Sequence, residues 1–197
     1  MKTITFHCLG NHSSYFVESD DLGNISEVLW KRATRFAVIN CNVPYVDFSK
    51  KVKRKRHIMR RAFEEFPAGL KLIKKIYWVK QWPGTLRIGD NHCLGDNHCL
   101  MVYFEATNEP DDSFFRDKNI FWETPSGWTD LMLFEGTKIS FYVCAHESFG
   151  EVFGTKDFLK SIGMKPEPKM KGKTVVIGEE IDLEELRREL GIFSEQV

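Results

Sequence analysis

Apolar and polar residues alternate over residues 3–9, with Ile4, Phe6 and Cys8 on one side, and this period of two predicts a first strand. After a Gly10-Asn11 turn signal, residues 14–18 read as a returning strand. The period then lengthens. Behind Ser26 as N-cap, Val28, Leu29, Ala33 and Phe36 share one face of a helix predicted over 27–36. Residues 37–43 form a short apolar run closed by Pro44, the pattern of a buried strand. A second helical pattern spans 49–66 and stops before Pro67-Ala68-Gly69.

The middle of the chain returns to strand composition. Ile76-Tyr77-Trp78-Val79 is rich in strand formers, and Pro83-Gly84 predicts a hairpin to 85–88. Residues 100–106 and 120–123 read as strands on either side of a long loop, 107–119. Residues 131–134 and 139–144 flank Glu135-Gly136-Thr137-Lys138 as a hairpin. A helix is expected over 150–162, with Val152, Phe153, Phe158, Leu159 and Ile162 inward, and a short strand over 174–177. Asp182 with Glu185 three residues on forms a capping box that opens a last helix. The elements together predict an α+β fold: one domain over 1–197, a mainly antiparallel sheet (a mixed one staying open) and about four helices.

Charge changes the picture most in the second helix. Lys50, Lys51, Lys53, Arg54, Lys55, Arg56, Arg60 and Arg61 fall within its first thirteen positions. At about 100° per residue, Val52, Ile58, Met59, Ala62, Phe63 and Phe66 lie in a stripe about 140° wide, and Lys50, Lys53, Arg54, His57, Arg60 and Arg61 lie opposite. Cations crowd the positive end of the helix dipole, and Glu64-Glu65 sit at the negative end. That order works against the isolated helix, so an anionic partner is expected to compensate. Lys71, Lys74, Lys75 and Lys80 extend the basic field beside Tyr77, Trp78 and Trp82. Lysines interleaved with aromatics suit single strands, whose bases stack while their phosphates are neutralised. Glu179, Glu180, Asp182, Glu184, Glu185 and Glu189 offer the chain's own alternative partner.

The formal net charge is zero over 197 residues, yet its distribution is uneven. Residues 1–88 hold 17 Lys and Arg against 7 Asp and Glu, and residues 89–197 hold 11 against 21. Such asymmetry implies an anionic partner for the basic half or mutual attraction between the halves. Hydrophobic residues make up 42% of the chain, with sixteen Phe and five Trp, enough for a sizeable core without disulfide staples. Five cysteines, Cys8, Cys41, Cys93, Cys99 and Cys144, do not form an even disulfide framework. With no signal-peptide pattern and no long apolar run, a cytoplasmic protein away from the membrane is expected.

Metal chemistry is weakly indicated. The hexapeptide GDNHCL occurs at 89–94 and again at 95–100, bringing His92, Cys93, His98 and Cys99 within eight residues. These are zinc-ligand types, but adjacent residues of an extended segment point to opposite faces, so each His-Cys pair diverges. No metal or other cofactor is expected. Cys144-Ala145-His146-Glu147 ends a strand without the partner motif of a zinc deaminase. Phosphate-binding, dinucleotide and nucleophile-elbow signatures are absent.

The leading expectation is a non-enzymatic binding protein that contacts RNA or DNA through the basic helix. Lys50, Lys53, Arg54, His57, Arg60, Arg61, Lys74 and Lys75 would meet phosphate, and Tyr77, Trp78 and Trp82 would stack bases where exposed. Five phosphate contacts on a duplex would give a log–log salt slope of about −4.5. A second expectation is a protein–protein inhibitor or immunity-type partner, with Phe114 and Phe115 as apolar anchors. A third is a hydrolase or nucleotide-processing enzyme built on His92, His98 and His146.

Overall fold

The structure, a computed structural model, describes residues 3–9, 13–18, 22–40, 42–43, 53–64, 73–82, 99–105, 127–145, 148–165, 167–168 and 175–191. The chain opens with β1 (Thr3–Cys8), β2 (Ser13–Glu18), α1 (Leu22–Arg32), β3 (Arg35–Asn40) and α2 (Lys53–Glu64). The central strands are β4 (Ile73–Gln81), β5 (Cys99–Glu105), β6 (Trp128–Glu135) and β7 (Lys138–Cys144). Then come β8 (Phe149–Gly154), α3 (Lys156–Ser161), β9 (Glu167–Pro168), β10 (Val175–Ile181) and α4 (Leu183–Leu190). The α+β expectation holds, with strands predominating. The predicted elements over 85–88 and 120–123 lie outside the described residues.

One sheet contains all ten described strands in the order β1-β10-β4-β5-β3-β6-β7-β8-β2-β9. It curls back on itself. β1 pairs antiparallel with β10 and also parallel with the start of β7, through His7↔Lys138 and Cys8↔Ile139. Leu9 N–H donates to the Ile139 carbonyl at 2.6 Å and extends that closure. β1, β10, β4, β5, β3, β6 and β7 therefore form a closed ring, which gives their backbone groups partners on both sides. The β1–β7 pairing is parallel, so the sheet is mixed, while its other pairings are antiparallel.

Strand alternation sends residues to two separate cores. Ala37, Ile39, Tyr77, Val79, Met101, Tyr103, Met132 and Phe134 fill one side, the inside of the ring. Phe36, Val38, Ile76, Trp78, Leu100, Val102, Leu131 and Leu133 face the other side, with Leu29 and Trp30 of α1, Met59 and Phe63 of α2, Leu159 of α3 and Leu186 of α4. Both faces of the central strands are thus dry. This explains why 36–39, 100–103 and 131–134 read as continuous apolar runs and not as alternation.

Helix boundaries differ from expectation: α1 begins at Leu22, so Ser26 lies inside it and is not its N-cap, and it ends at Arg32. Residues 35 and 36 belong to β3, because Phe36 pairs with Phe104 of β5 and Leu133 of β6. Residues 149–154 form β8, with Val152 in the outer core and Phe153 in the inner one. Their burial on opposite faces overrides the helical spacing. The helix starts only after Thr155, whose Oγ1 accepts from Phe158 N–H at 3.2 Å. At the last helix the expected cap is present: Asp182 Oδ1 accepts from Glu184 N–H at 2.9 Å and Glu185 N–H at 3.1 Å. Gly191 closes that helix in the left-handed region, at φ 61°.

Arg32 fastens the end of α1 to the β6–β7 hairpin. Its Nε and Nη2 both donate to the Glu135 carboxylate at 2.9 Å, and its guanidinium lies 3.7 Å from the Phe158 ring centre. Inside the ring, Phe6, Tyr77, Tyr103 and Phe134 pack edge-on or stacked, with centroids 5.0 to 6.4 Å apart. Burial pushes the Tyr77 hydroxyl well above its ordinary value of 10.0, and Glu180 and Tyr103 add to the effect. Burial likewise raises Tyr103, against a lowering by Arg35. A hydroxyl raised on folding binds more protons in the folded state than in the unfolded state. Its stabilisation is complete below pH 10 and is lost as pH rises toward the folded value. Urea unfolding is therefore expected to show stability falling from pH 9.5 upward (about the lower edge of the unfolded tyrosine titration), less steeply in Tyr77→Phe.

Candidate nucleic-acid interface

The basic stretch folds as a helix over Lys53–Glu64, shorter at each end than the predicted 49–66. Lys50, Val52 and Phe66 lie outside the described residues. Met59, Ala62 and Phe63 anchor it, with relative exposures of 0%, 2% and 0%. Phe63 meets the Trp128 ring edge-on at 5.7 Å, and Trp128 Nε1 donates to the Ala62 carbonyl at 2.9 Å. Deep side-chain burial and this backbone contact hold α2 despite its unfavourable charge order. The dipole offers no support, since α2 has no acidic residue in its first turn.

The cations divide into two groups. Arg56 forms an ion pair with Glu189 of α4, so the chain's own acidic helix does dock beside α2. Arg60 Nε lies 3.2 Å from Glu64 Oε1, one turn on, an exposed pair contributing about 0.3–0.5 kcal/mol. Lys75 on β4 is exposed but pairs with Glu180 of β10. Arg54, His57 and Arg61 are exposed, and none has an acidic partner among the described residues. Together with Ile58 they occupy positions i, i+3, i+4 and i+7, a stripe about 100° wide.

Ile58 corrects the predicted wheel. The helical period places it within the buried stripe, yet it is 38% exposed between the cations. The anchor is narrower than predicted because the sheet meets α2 along Met59, Ala62 and Phe63.

The aromatic half of the predicted site lies elsewhere. Tyr77 is 5% exposed, Trp78 1% and Trp82 3%. Tyr77 and Trp82 belong to the inside of the ring, and Trp78 lies under the helical layer. They are core residues in this fold and offer no platform for base stacking, contrary to expectation. Adjacent residues of β4 point to opposite faces, but both faces are covered. Among the residues whose side-chain burial is described, the exposed large apolar ones are Val28 and Ile58, neither aromatic.

Lys53 opens α2 and Lys74 lies in β4. Cys99 begins β5 and is buried facing the interior. His92, Cys93, His98, His146, Phe114 and Phe115 lie outside the described residues. Among the described residues no group of three or more His, Cys, Asp or Glu is placed to hold a metal ion. No helix among them is long and apolar enough to cross a membrane.

A buried polar cluster at one end of the ring has little sequence signal. Asp130 is 4% exposed and adopts φ 53°. Its carboxylate accepts from Trp82 Nε1–H at 3.0 Å and from Ala145 N–H at 2.9 Å. Nearby, Asn40 Oδ1 accepts from Asn42 N–H at 2.9 Å and Val43 N–H at 3.0 Å, which turns the chain out of β3. An aspartate within an apolar strand is the only hint of this plug that the sequence carries. No family model, no curated protein and no solved structure matches this chain.

Proposed function

We propose that this is a binding protein that contacts the phosphate backbone of RNA or DNA through α2. The observation that carries the reading is the stripe of Arg54, His57 and Arg61, exposed together on a firmly anchored helix. Among the described residues, acids meet Arg56, Arg60 and Lys75 and none meets that stripe, which supports an outside partner. Arginine forks onto phosphate oxygens with two N–H donors, and the His57 ring adds a further N–H.

The aromatics are internal and two of the predicted cations, Arg60 and Lys75, are paired; among the described side chains Arg54, His57 and Arg61 remain, fewer than the five contacts expected from the sequence. Two to three phosphates neutralised on a duplex correspond to a log–log salt slope of about −1.8 to −2.7. Fluorescence anisotropy with labelled oligonucleotides between 50 and 200 mM KCl (roughly the span over which counterion release is read) measures it. A slope in that range supports the reading, and no binding at the lowest salt refutes it.

Ile58 favours a second reading, in which the same stripe docks on an acidic protein surface with isoleucine as its apolar centre. A stoichiometric protein partner retained after nuclease treatment, with no oligonucleotide binding, would select it.

A further inference from the structure

We infer that the nucleic acid met by α2 is double-helical and is held through its backbone. This rests on the reading of α2 as a phosphate contact and narrows its ligand. Two observations carry it. The aromatics suited to stacking unpaired bases are buried, Trp78 to 1% exposure and Tyr77 to 5%, and the exposed large apolar side chains among those whose burial is described are both aliphatic. Base stacking, the sequence-tolerant source of affinity for single strands, therefore finds no fully exposed aromatic among the side chains described. The second observation is rigidity. Arg54 and Arg61 stand seven residues apart on one helix, about 10.5 Å along its axis. Phe63 packed on Trp128, and the Trp128–Ala62 hydrogen bond, hold that helix in place.

Cations carried at a set spacing on a fixed helix suit a partner whose phosphates are also fixed. A duplex presents about one charge per 1.7 Å of axis in a stiff array, so a preset spacing can be met without ordering the ligand. A flexible single strand must first be ordered to match it. Ile58, between the two arginines, then lies against sugar carbons or a groove wall, an apolar contact that needs no unstacked base.

The test is a competition on the intact chain between a mixed-sequence DNA duplex, an RNA duplex and the separated strands of each. Two to three contacts give duplexes an advantage of about 3-fold at 0.1 M salt from counterion release alone. Duplex affinity about 3-fold or more above that of either strand is the expected result, and a ratio of about 2 or less overturns the inference. Preferential binding of single strands, lost in Arg54→Glu/Arg61→Glu, would overturn the duplex assignment while leaving α2 as the contact. Absence of binding to every probe would overturn both. A preference between the two duplexes, each above its strands, would support the inference and identify which kind the stripe fits.

Discussion

Asp130→Ala should lower the stability of the fold by about 3–5 kcal/mol, a large share of the 5–15 kcal/mol typical of a domain. The carboxylate takes two buried N–H donors, one from Trp82 after β4 and one from Ala145 after β7. β5 and β3 separate β4 from β6 in the sheet, so Asp130 ties together strands that do not pair. Alanine leaves both donors unsatisfied, at about 1–3 kcal/mol each. It must also adopt the positive φ of 53°, which costs an alanine about 1 kcal/mol and an asparagine less. Asp130→Asn tolerates that backbone and keeps one acceptor oxygen, but its amide NH2 then faces the other donor, because Trp82 and Ala145 bond to different oxygens of the carboxylate, so its loss should be smaller than that of alanine but still substantial. Urea denaturation followed by circular dichroism separates the two variants. Equal effects would show that one retained hydrogen bond and the easier backbone do not help, so that both N–H donors need the carboxylate.

Strands with a clear alternation, or with an apolar run bounded by turn signals, are legible in the sequence. Residues 3–8, 100–105 and the 131–144 hairpin appear as β1, β5 and β6–β7 close to where their patterns place them. The misplaced end of α1 and the misplaced start of α3 share a cause. Phe36 and Phe153 each sit at a helical spacing from other apolar residues, but both belong to strands buried on two faces. When both faces are dry, the period that separates strand from helix disappears. Closure of the ring is not legible at all, because it depends on β1 meeting β7 and β10, far away in the chain.

The basic helix is legible as an object, with its cationic character and its need for an anion. Its partners are only half legible. The C-terminal acids are available by composition, but that Glu189 meets Arg56 and Glu180 meets Lys75 follows from how α4 and β10 return to the N-terminal half. Those pairs reduce the open stripe to Arg54, His57 and Arg61 around Ile58. The aromatics beside the lysines are core residues for a local reason: β4 lies between β10 and β5, inside the sheet, with helices outside and the ring interior within.

Reversing two charges in that stripe should have the largest effect on binding of any surface change. Removing one phosphate contact weakens binding by a factor of about 8 at 0.1 M salt, so removing two weakens it about 60-fold. Arg54→Glu/Arg61→Glu adds repulsion to that loss and should exceed it. Folding should be little affected. An acid at position 54 sits at the positive end of the helix dipole, a gain of about 0.3–1 kcal/mol, which offsets the like-charge contact of position 61 with Glu64.

The most direct measurement is the affinity of this double variant for a duplex, compared with Lys156→Glu/Lys160→Glu, which reverses two exposed charges on α3. The predicted result is a loss of about 60-fold or more for the α2 variant, a salt slope shallower by about 1.8, and a change of at most a few-fold for the α3 variant. Equal losses in the two variants, or an α2 variant that binds like the unaltered protein, would contradict α2 as the nucleic-acid contact.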